Sequence, residues 1–410
     1  MKHKIMIIFS IILISIPTTI KAMEHNLYSE NVILVNPKEN IILYEKNKDE
    51  EVSVASLTKI MTALVALENI ENIQEEIILT KEDFEGLREQ NAAVAGFQIG
   101  EKVTYEDLLY GLLLPSGADA AKALCRNIAG SEENFVLKMN EKAKELNLNH
   151  TYFLNSTGLD EDGHYSTVED IKNLLIIALE NQDLKKIITS KTYTTSNNRL
   201  TFESTITKTI KKNQLEMEYL QGGKTGTTGN AGLCLATFAK QDKEELLLVT
   251  VKAPFSKTEP YAYLDAKTLY EYYFNQYDYQ TLIEKGERLV TIETKYAKEE
   301  SITFTSPNII EKYIENPFDK EKVKVKYQGE IKITPNMKKG EKIGEVKIYY
   351  DNSLKETIPI FLDQNLEWSI KSILKENIPV EIGIILGIVV LLTSLIILKN
   401  KRRKKQPLMV

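Results

Sequence analysis

Cysteine is nearly absent from this chain. Cys125 and Cys234 are the only two among 410 residues, so no disulfide framework holds the fold. Each lies in an apolar or small-residue stretch. In an exported protein they could pair, but we read them as two buried free thiols. Histidine is also scarce, at four residues, which leaves little material for a metal site. No internal repeat and no low-complexity tract is present. Long uncharged runs are missing except at the two ends, which excludes a multispanning membrane protein. Positive charge is short as well. Nine of the 52 basic residues sit at the termini, so residues 23–398 carry 43 basic against 58 acidic residues, a net of −15. A body that acidic excludes a nucleic-acid partner, which requires basic surface.

What is present is core-forming material. With 43% hydrophobic residues, 12 Phe and 20 Tyr, the chain can bury two or three domains and is not disordered.

The ends suggest a compartment. Residues 1–22 read as a signal peptide: Lys2 and Lys4, an apolar run from Ile5 to Ile16, a break at Pro17, and a cleavage site after Ala22. At the other end the chain is uncharged from Ile382 to Leu398, about 25 Å as a helix. Lys399, Lys401, Arg402, Arg403, Lys404 and Lys405 follow. This reads as a transmembrane helix (382–398) with a basic cytoplasmic tail (399–410), the body lying outside the membrane.

Between the ends, 31–36 and 40–46 read as strands about an Asn-Pro turn. A helix with almost no polar face runs from Ser56 to Asn69, so it is expected to be central and buried. Helical patterns follow at 104–129, 133–147 and 167–180, strands at 233–240 and 245–252, and a last helix at 261–275. Helices between terminal strands predict one α+β domain over 27–277. From 280 to 370 short alternating runs predict a small β-rich domain, with strands at 288–293, 323–327, 330–334 and 344–350. Residues 371–381 are a linker.

The chemistry-bearing motifs are few. Ser56-Leu57-Thr58-Lys59 is an S-x-x-K at the start of the buried helix. Spacing of three puts both side chains on one face. A lysine deprotonates a serine only when desolvation or nearby cations lower its pKa. Ser372-Ile373-Leu374-Lys375 matches the same pattern but lies in an amphipathic stalk. Lys224-Thr225-Gly226 is the only K-T-G in the chain. On an edge strand its lysine and hydroxyl would bind a carboxylate, and glycine would let a ligand backbone approach. The G-x-x-x-x-G-K-[ST] phosphate loop is not met. Ser116 lies in a Pro-Ser-Gly loop between two helical stretches; by itself it reads as a helix cap. Asn149-His150-Thr151 and Asn155-Ser156-Thr157 match a glycosylation pattern but read as turns.

Together these residues resemble the D-alanyl-D-alanine carboxypeptidases, low-molecular-weight penicillin-binding proteins that share a serine-peptidase core with class A β-lactamases. The family orders its motifs S-x-x-K, S-x-N and K-T-G, as here at 56, 116 and 224. Asn155-Ser156-Thr157-Gly158-Leu159-Asp160 and Gly163-His164-Tyr165-Ser166-Thr167 also match. The resemblance covers about 27–275, and more loosely the β-rich and membrane segments. It implies a β-lactamase/DD-peptidase-like α+β catalytic domain, a small β-rich domain and a C-terminal transmembrane helix. It makes Ser56 the nucleophile, Lys59 its general base and Ser116 a proton shuttle. Lys224 and Thr225 would hold the substrate carboxylate, and the N–H groups of Ser56 and Thr227 the oxyanion. His150 and His164 become structural turn residues. No cofactor is implied. Expected partners are the peptidoglycan stem peptide, β-lactams as covalent inhibitors, and the cytoplasmic membrane through the C-terminal helix. One position departs: the second motif ends in Ala118 where the family has Asn. The rival readings are a β-lactamase, which would need a base for the deacylating water, and a wall-sensing module without turnover.

Overall fold

The computed structural model describes residues 25–377 and 380–403. The signal-peptide segment 1–22 and tail residues 404–410 lie outside the described residues. The chain divides into two compact units between Asp278 and Tyr279.

In the first unit β1 (Asn31–Asn36) turns into β2 (Ile41–Lys46), with the Asn36 side chain accepting from the Glu39 amide at 3.1 Å. A 3₁₀ turn at Ala55–Thr58 leads into α1 (Lys59–Asn69), whose residues from Lys59 to Ala66 are all buried. The expected helix start at Ser56 is therefore corrected. Ala55 sits at φ 48°, and the chain enters α1 through a tighter turn. Next come β3 (Glu76–Ile78) and β4 (Lys102–Thr104). The helical stretch expected over 104–129 is two helices, α2 (Tyr105–Leu113) and α3 (Ala118–Ala129). A Thr104–Asp107 capping box starts α2, and Gly130 in the left-handed conformation ends α3. α4 (Glu132–Glu145) and α5 (Val168–Glu180) begin at Ser131 and Thr167 caps.

The segment after residue 180 holds elements that sequence reading missed: α6 (Gln182–Thr189), the hairpin β5 (Thr192–Thr194) with β6 (Thr201–Glu203), and α7 (Thr205–Asn213). Then β7 (Leu220–Thr228), β8 (Gly232–Gln241) and β9 (Glu244–Ala253) precede α8 (Tyr261–Gln276).

The main sheet has the order β2-β1-β9-β8-β7, with every pairing antiparallel. Both faces are covered, so alternation appears as a choice of partner rather than as polar against apolar. Ile33, Ala236, Phe238, Val249 and Val251 join the core formed with α1–α5. The intervening Thr237 turns the other way and bonds the hydroxyl of Tyr270 on α8 at 2.9 Å. Cys125 and Cys234 are buried free thiols. β7 is left at the sheet edge.

The second unit holds β10 (Tyr277–Ile283), β11 (Arg288–Thr294), β12 (Ser301–Thr305), β13 (Ile310–Glu315), β14 (Val323–Gly329), β15 (Lys332–Ile333), β16 (Lys342–Tyr350) and β17 (Ser353–Phe361). They form sheets β10-β13, β12-β11-β15 and β14-β16-β17 about a core that includes Leu282, Ile292, Ile333, Val346 and Ile348. β10, β12, β13 and β17 were not expected, and the strand expected over 330–334 shrinks to two residues. α9 (Ile370–Asn377) and α10 (Val380–Arg403) follow. Within α10, Ile382–Lys399 is long and apolar enough to cross a membrane.

Candidate active site

Ser56 lies in the 3₁₀ turn at the head of α1. Side chains three apart eclipse in such a turn, and the Lys59 Nζ donates to Ser56 Oγ at 3.0 Å. Lys59 also donates to the carbonyl oxygen of Thr157 at 2.6 Å and is only 2% exposed. Burial pulls its pKa down to about 7, against the opposing charges of Asp119 and Glu132. Both of those carboxylates accept backbone hydrogen bonds, Glu132 from Ser156 at 3.0 Å and Asp119 from Ala95 at 2.8 Å.

Glycine allows the turn to be approached so closely. A Cβ on Gly158, which has φ 77°, would stand 2.0 Å from the Ala55 carbonyl oxygen. One on Gly226 would stand 3.0 Å from the Ala55 Cβ and 3.1 Å from the Ser56 amide nitrogen. The β7 backbone therefore passes directly beside the turn that carries Ser56.

Ser116 occupies the loop between α2 and α3 at φ 67°. Non-glycine residues hold this conformation only where their surroundings impose it. The next two amides are held, Gly117 N donating to Gly111 O at 2.9 Å and Ala118 N to Ala93 O at 2.8 Å, while Asp119 gathers the amides of Ala95, Gly96 and Phe97. Lys224 reaches across from β7 and donates to Ser116 Oγ at 2.8 Å and to its neighbour's carbonyl, Thr225 O, at 2.8 Å. Its ammonium is enclosed, with 1% of the residue exposed. Burial, then the charge of Lys59, pushes its pKa well below the lysine value.

Thr225 and Thr227 lie on the same edge strand. Thr225 Oγ1 shares a 2.8 Å hydrogen bond with Thr205 Oγ1 at the start of α7, and the exposed Thr227 donates its hydroxyl to Gly226 O at 2.7 Å. The six residues singled out from sequence thus gather about the junction of α1, the α2–α3 loop and β7. Ala118, at the third place of the second motif, is buried and donates its amide to Ala93 O at 2.8 Å. Ser372 belongs to α9 in the other unit, where its amide caps onto Ser369 Oγ at 3.2 Å.

Three residues of the motifs at 155–160 and 163–167 border the site, with contacts that the sequence did not specify. Thr157 acts through a backbone carbonyl, which has no residue signature. His164 receives the Leu154 amide on Nδ1 at 3.3 Å, so its Nε2–H donates to Thr58 Oγ1 at 2.9 Å. Burial holds this imidazole neutral by lowering its pKa to about 4. Asp160 ties Ser53 Oγ at 2.8 Å to the Asn230 amide at 3.0 Å, fastening the segment before Ser56 to the turn after β7. Among the described residues no group of three His, Cys, Asp or Glu side chains is arranged to hold a metal ion.

Comparison with known proteins agrees with this geometry. The family described as D-alanyl-D-alanine carboxypeptidase matches residues 18–254, and the penicillin-binding protein 5 C-terminal domain matches 277–367. The D-alanyl-D-alanine carboxypeptidase DacF of Bacillus subtilis is 29% identical over 346 residues, spanning 83% of this chain and 86% of that protein. A D-alanyl-D-alanine carboxypeptidase of Streptomyces sp. K15 is 33% identical over 242 residues, spanning 57% of this chain and 82% of its own. Penicillin binding protein 5 from Haemophilus influenzae superposes with a TM-score of 0.65 over 84% of this chain and 99% of that one. At 21% identity this is a likeness of fold.

Proposed function

The chain belongs to the D-alanyl-D-alanine carboxypeptidase family of serine peptidases, and from that premise we propose a mechanism carried by its own residues. The family acts on peptidoglycan and binds stem peptides and β-lactams. Here the substrate is a stem pentapeptide, and the product is the peptide without its last D-alanine. A trimmed stem can no longer donate in transpeptidation, so cross-linking is limited.

Neutral Lys59 takes the Ser56 proton as Oγ attacks the carbonyl carbon of the penultimate D-alanine. The oxyanion is met by the N–H groups of Ser56 and Thr227, a reading supported by the close approach of Gly226 to the Ser56 amide. Such donors are worth several kcal/mol in acyl transfer, roughly 2.7–4 for one. As the C–N bond breaks, Ser116 gives its proton to the departing amine and takes in exchange the one that Lys59 removed from Ser56, so that Lys59 is neutral again, and Lys224 behind Ser116 keeps that hydroxyl oriented. Thr225 holds the substrate's terminal carboxylate. Water then attacks the ester carbonyl, neutral Lys59 takes its proton, and as the C–Oγ bond breaks Lys59 returns that proton to Ser56 Oγ.

The observation that carries this reading is the buried Lys59 amine 3.0 Å from Ser56 Oγ. Residues 27–277 form the catalytic domain in this account, and 280–370 the β-rich domain that spaces it from the membrane. The helix over 382–398 spans the cytoplasmic membrane, with 399–410 inside and the catalytic domain exported after cleavage of 1–22.

The test is D-alanine release from diacetyl-L-lysyl-D-alanyl-D-alanine by detergent-solubilised full-length protein. Release that depends on the Ser56 hydroxyl is expected. A protein that binds this peptide without releasing D-alanine is a sensor, and the proposal fails.

A further inference from the structure

The direction of the Lys59 amine depends on a backbone carbonyl. Lys59 reaches two oxygens, and Ser56 Oγ is the one whose proton it takes. Thr157 O, at 2.6 Å, is left to orient it. A neutral amine that donates an N–H to this carbonyl turns its lone pair toward the serine, as a general base requires. Ala118, at the head of α3, has no side-chain oxygen to share the task.

Three groups hold the turn that delivers the carbonyl. From α1, Thr62 donates its hydroxyl to Ser156 O at 2.7 Å, one residue before the carbonyl that Lys59 holds. Asn155 closes the turn on itself, its Oδ1 accepting from the amides of Thr157 at 3.2 Å and Gly158 at 2.8 Å. Glu132, the first residue of α4, accepts from both the amide of Ser156 at 3.0 Å and its hydroxyl at 2.7 Å. A cavity of about 380 Å³ borders Glu132, Asn155 and Thr157. On that side hydrogen bonds, not packed side chains, therefore fix the turn. The charged groups that face Lys59 are Asp119 on α3, Glu132 on α4 and Lys224 on β7. Asp119 is committed to the amides of Ala95, Gly96 and Phe97, and Lys224 to Ser116 Oγ and Thr225 O. Of the three, Glu132 bonds to the turn that carries Thr157.

We propose that Glu132 is a positioning residue for acylation: by gripping Ser156 from α4 it sets the Thr157 carbonyl that aims Lys59 at Ser56. This rests on the reading above of Ser56 as nucleophile and Lys59 as base. The proton passes from Ser56 Oγ to Lys59 Nζ as Oγ bonds to the carbonyl carbon, and Glu132 itself exchanges none.

The experiment follows acylation of the full-length protein by benzylpenicillin across pH, in wild type, Glu132→Ala, Glu132→Gln and Ser156→Ala. Glu132→Ala should lower the plateau rate at least about tenfold, since an ångström of misplacement costs on the order of a hundredfold. Glu132→Gln keeps an acceptor oxygen and should recover the rate to within about threefold of wild type. Its midpoint should fall below the wild-type value of about 7, because a negative charge near the amine has gone. Ser156→Ala keeps the amide donor and should lie between Glu132→Ala and wild type. Diacetyl-lysyl-D-Ala-D-Ala should bind Ser56→Ala protein equally within about twofold with and without Glu132→Ala, which separates aim from folding and from affinity. A Glu132→Ala plateau within about twofold of wild type overturns the proposal. So does a Glu132→Gln protein as slow as Glu132→Ala, which makes charge and not hydrogen bonding the cause. A Glu132→Ala midpoint that climbs toward the ordinary lysine value also overturns it, because the turn has then opened to water. If Glu132→Ala no longer binds the peptide, Ser156→Ala decides, and a wild-type rate there overturns the proposal. A wild type that is acylated but releases no D-alanine refutes the carboxypeptidase reading, while the variants still decide this one. A wild type that is not acylated refutes both.

Discussion

If Lys59 is the base, activity must follow its titration. Its pKa is drawn from 10.5 to about 7, which at roughly 1.4 kcal/mol per unit is a differential of about 5 kcal/mol between its two forms. At pH 7 about half of the molecules then hold a neutral amine, against roughly 0.03% for an unperturbed lysine. The site's hydrogen bonding points the same way. The Lys59 Nζ lies within hydrogen-bond reach of both Ser56 Oγ and Thr157 O. A neutral amine can donate to the carbonyl and accept from the serine. Acylation by benzylpenicillin, followed by stopped flow, should rise with pH through a midpoint near 7 and then level. Two units lower it should fall to about 1% of the plateau. Lys59→Arg keeps the charge and should lose at least about a thousandfold, because guanidinium does not deprotonate. Stability follows the same titration. The folded pKa lies below the unfolded one, so between about 7 and 10.5 the unfolded chain binds the extra proton, and Lys59's contribution to stability rises with pH across that window. A rate that is flat from about pH 5.5 to 9, or a midpoint at the ordinary lysine value, would refute the assignment.

Labelled penicillin should attach to the proteolytic peptide that contains Ser56; Ser56→Ala should abolish the label, and Ser372→Ala should leave it intact. Ending the chain at Asn377 should release active soluble protein into the medium. Full-length protein should stay with membranes in high salt, since an apolar anchor is not screened; salt extraction of the full chain contradicts a spanning helix. Ala118→Asn places a carboxamide at the start of α3. One net hydrogen bond of about 0.5–1.5 kcal/mol predicts a gain of about 2- to 12-fold in kcat/KM, and a fall would mean that the site has closed around alanine.

The parts of the fold that sequence reading reached are those whose signal is local. The near absence of polar residues after Lys59 marked α1 as central, and Ile60, Met61, Ala63 and Leu64 are indeed buried. The K-T-G segment was read only as lying before the strand at 233–240, and its place on an edge strand of its own, β7, came from the structure. α6 and α7 were missed as well. They are short, and α7 is rich in threonine and isoleucine, residues whose propensity favours strands. Their packing against β7 decides otherwise, as tertiary contacts often override weak propensities. In the second unit, β12 keeps a clean alternation with Ile302 and Phe304 inward, but five residues give too little pattern to stand out from a turn. At the site, the side chains were legible and the backbone partners were not. Thr157 contributes a carbonyl, and Ala118's role depends on what surrounds it.

The two S-x-x-K segments separate spacing from environment. Ser56–Lys59 and Ser372–Lys375 share a spacing of three and a helical context. Lys375 is exposed on α9, with water able to solvate its ammonium. Lys59 has lost that water because Gly158 and Gly226 let two backbone segments close on the turn, and a side chain at either glycine would collide with the Ala55 backbone or crowd its Cβ. The shift that would fit Lys59 to act as a base thus comes from the approach of those segments and not from the motif itself. Gly226→Ala, which adds a Cβ 3.1 Å from the Ser56 amide, should accordingly push β7 away from the turn, readmit water, and move the acylation midpoint up from 7 as well as lowering its plateau. A loss of plateau with the midpoint unmoved would mean that the lysine is desolvated from elsewhere.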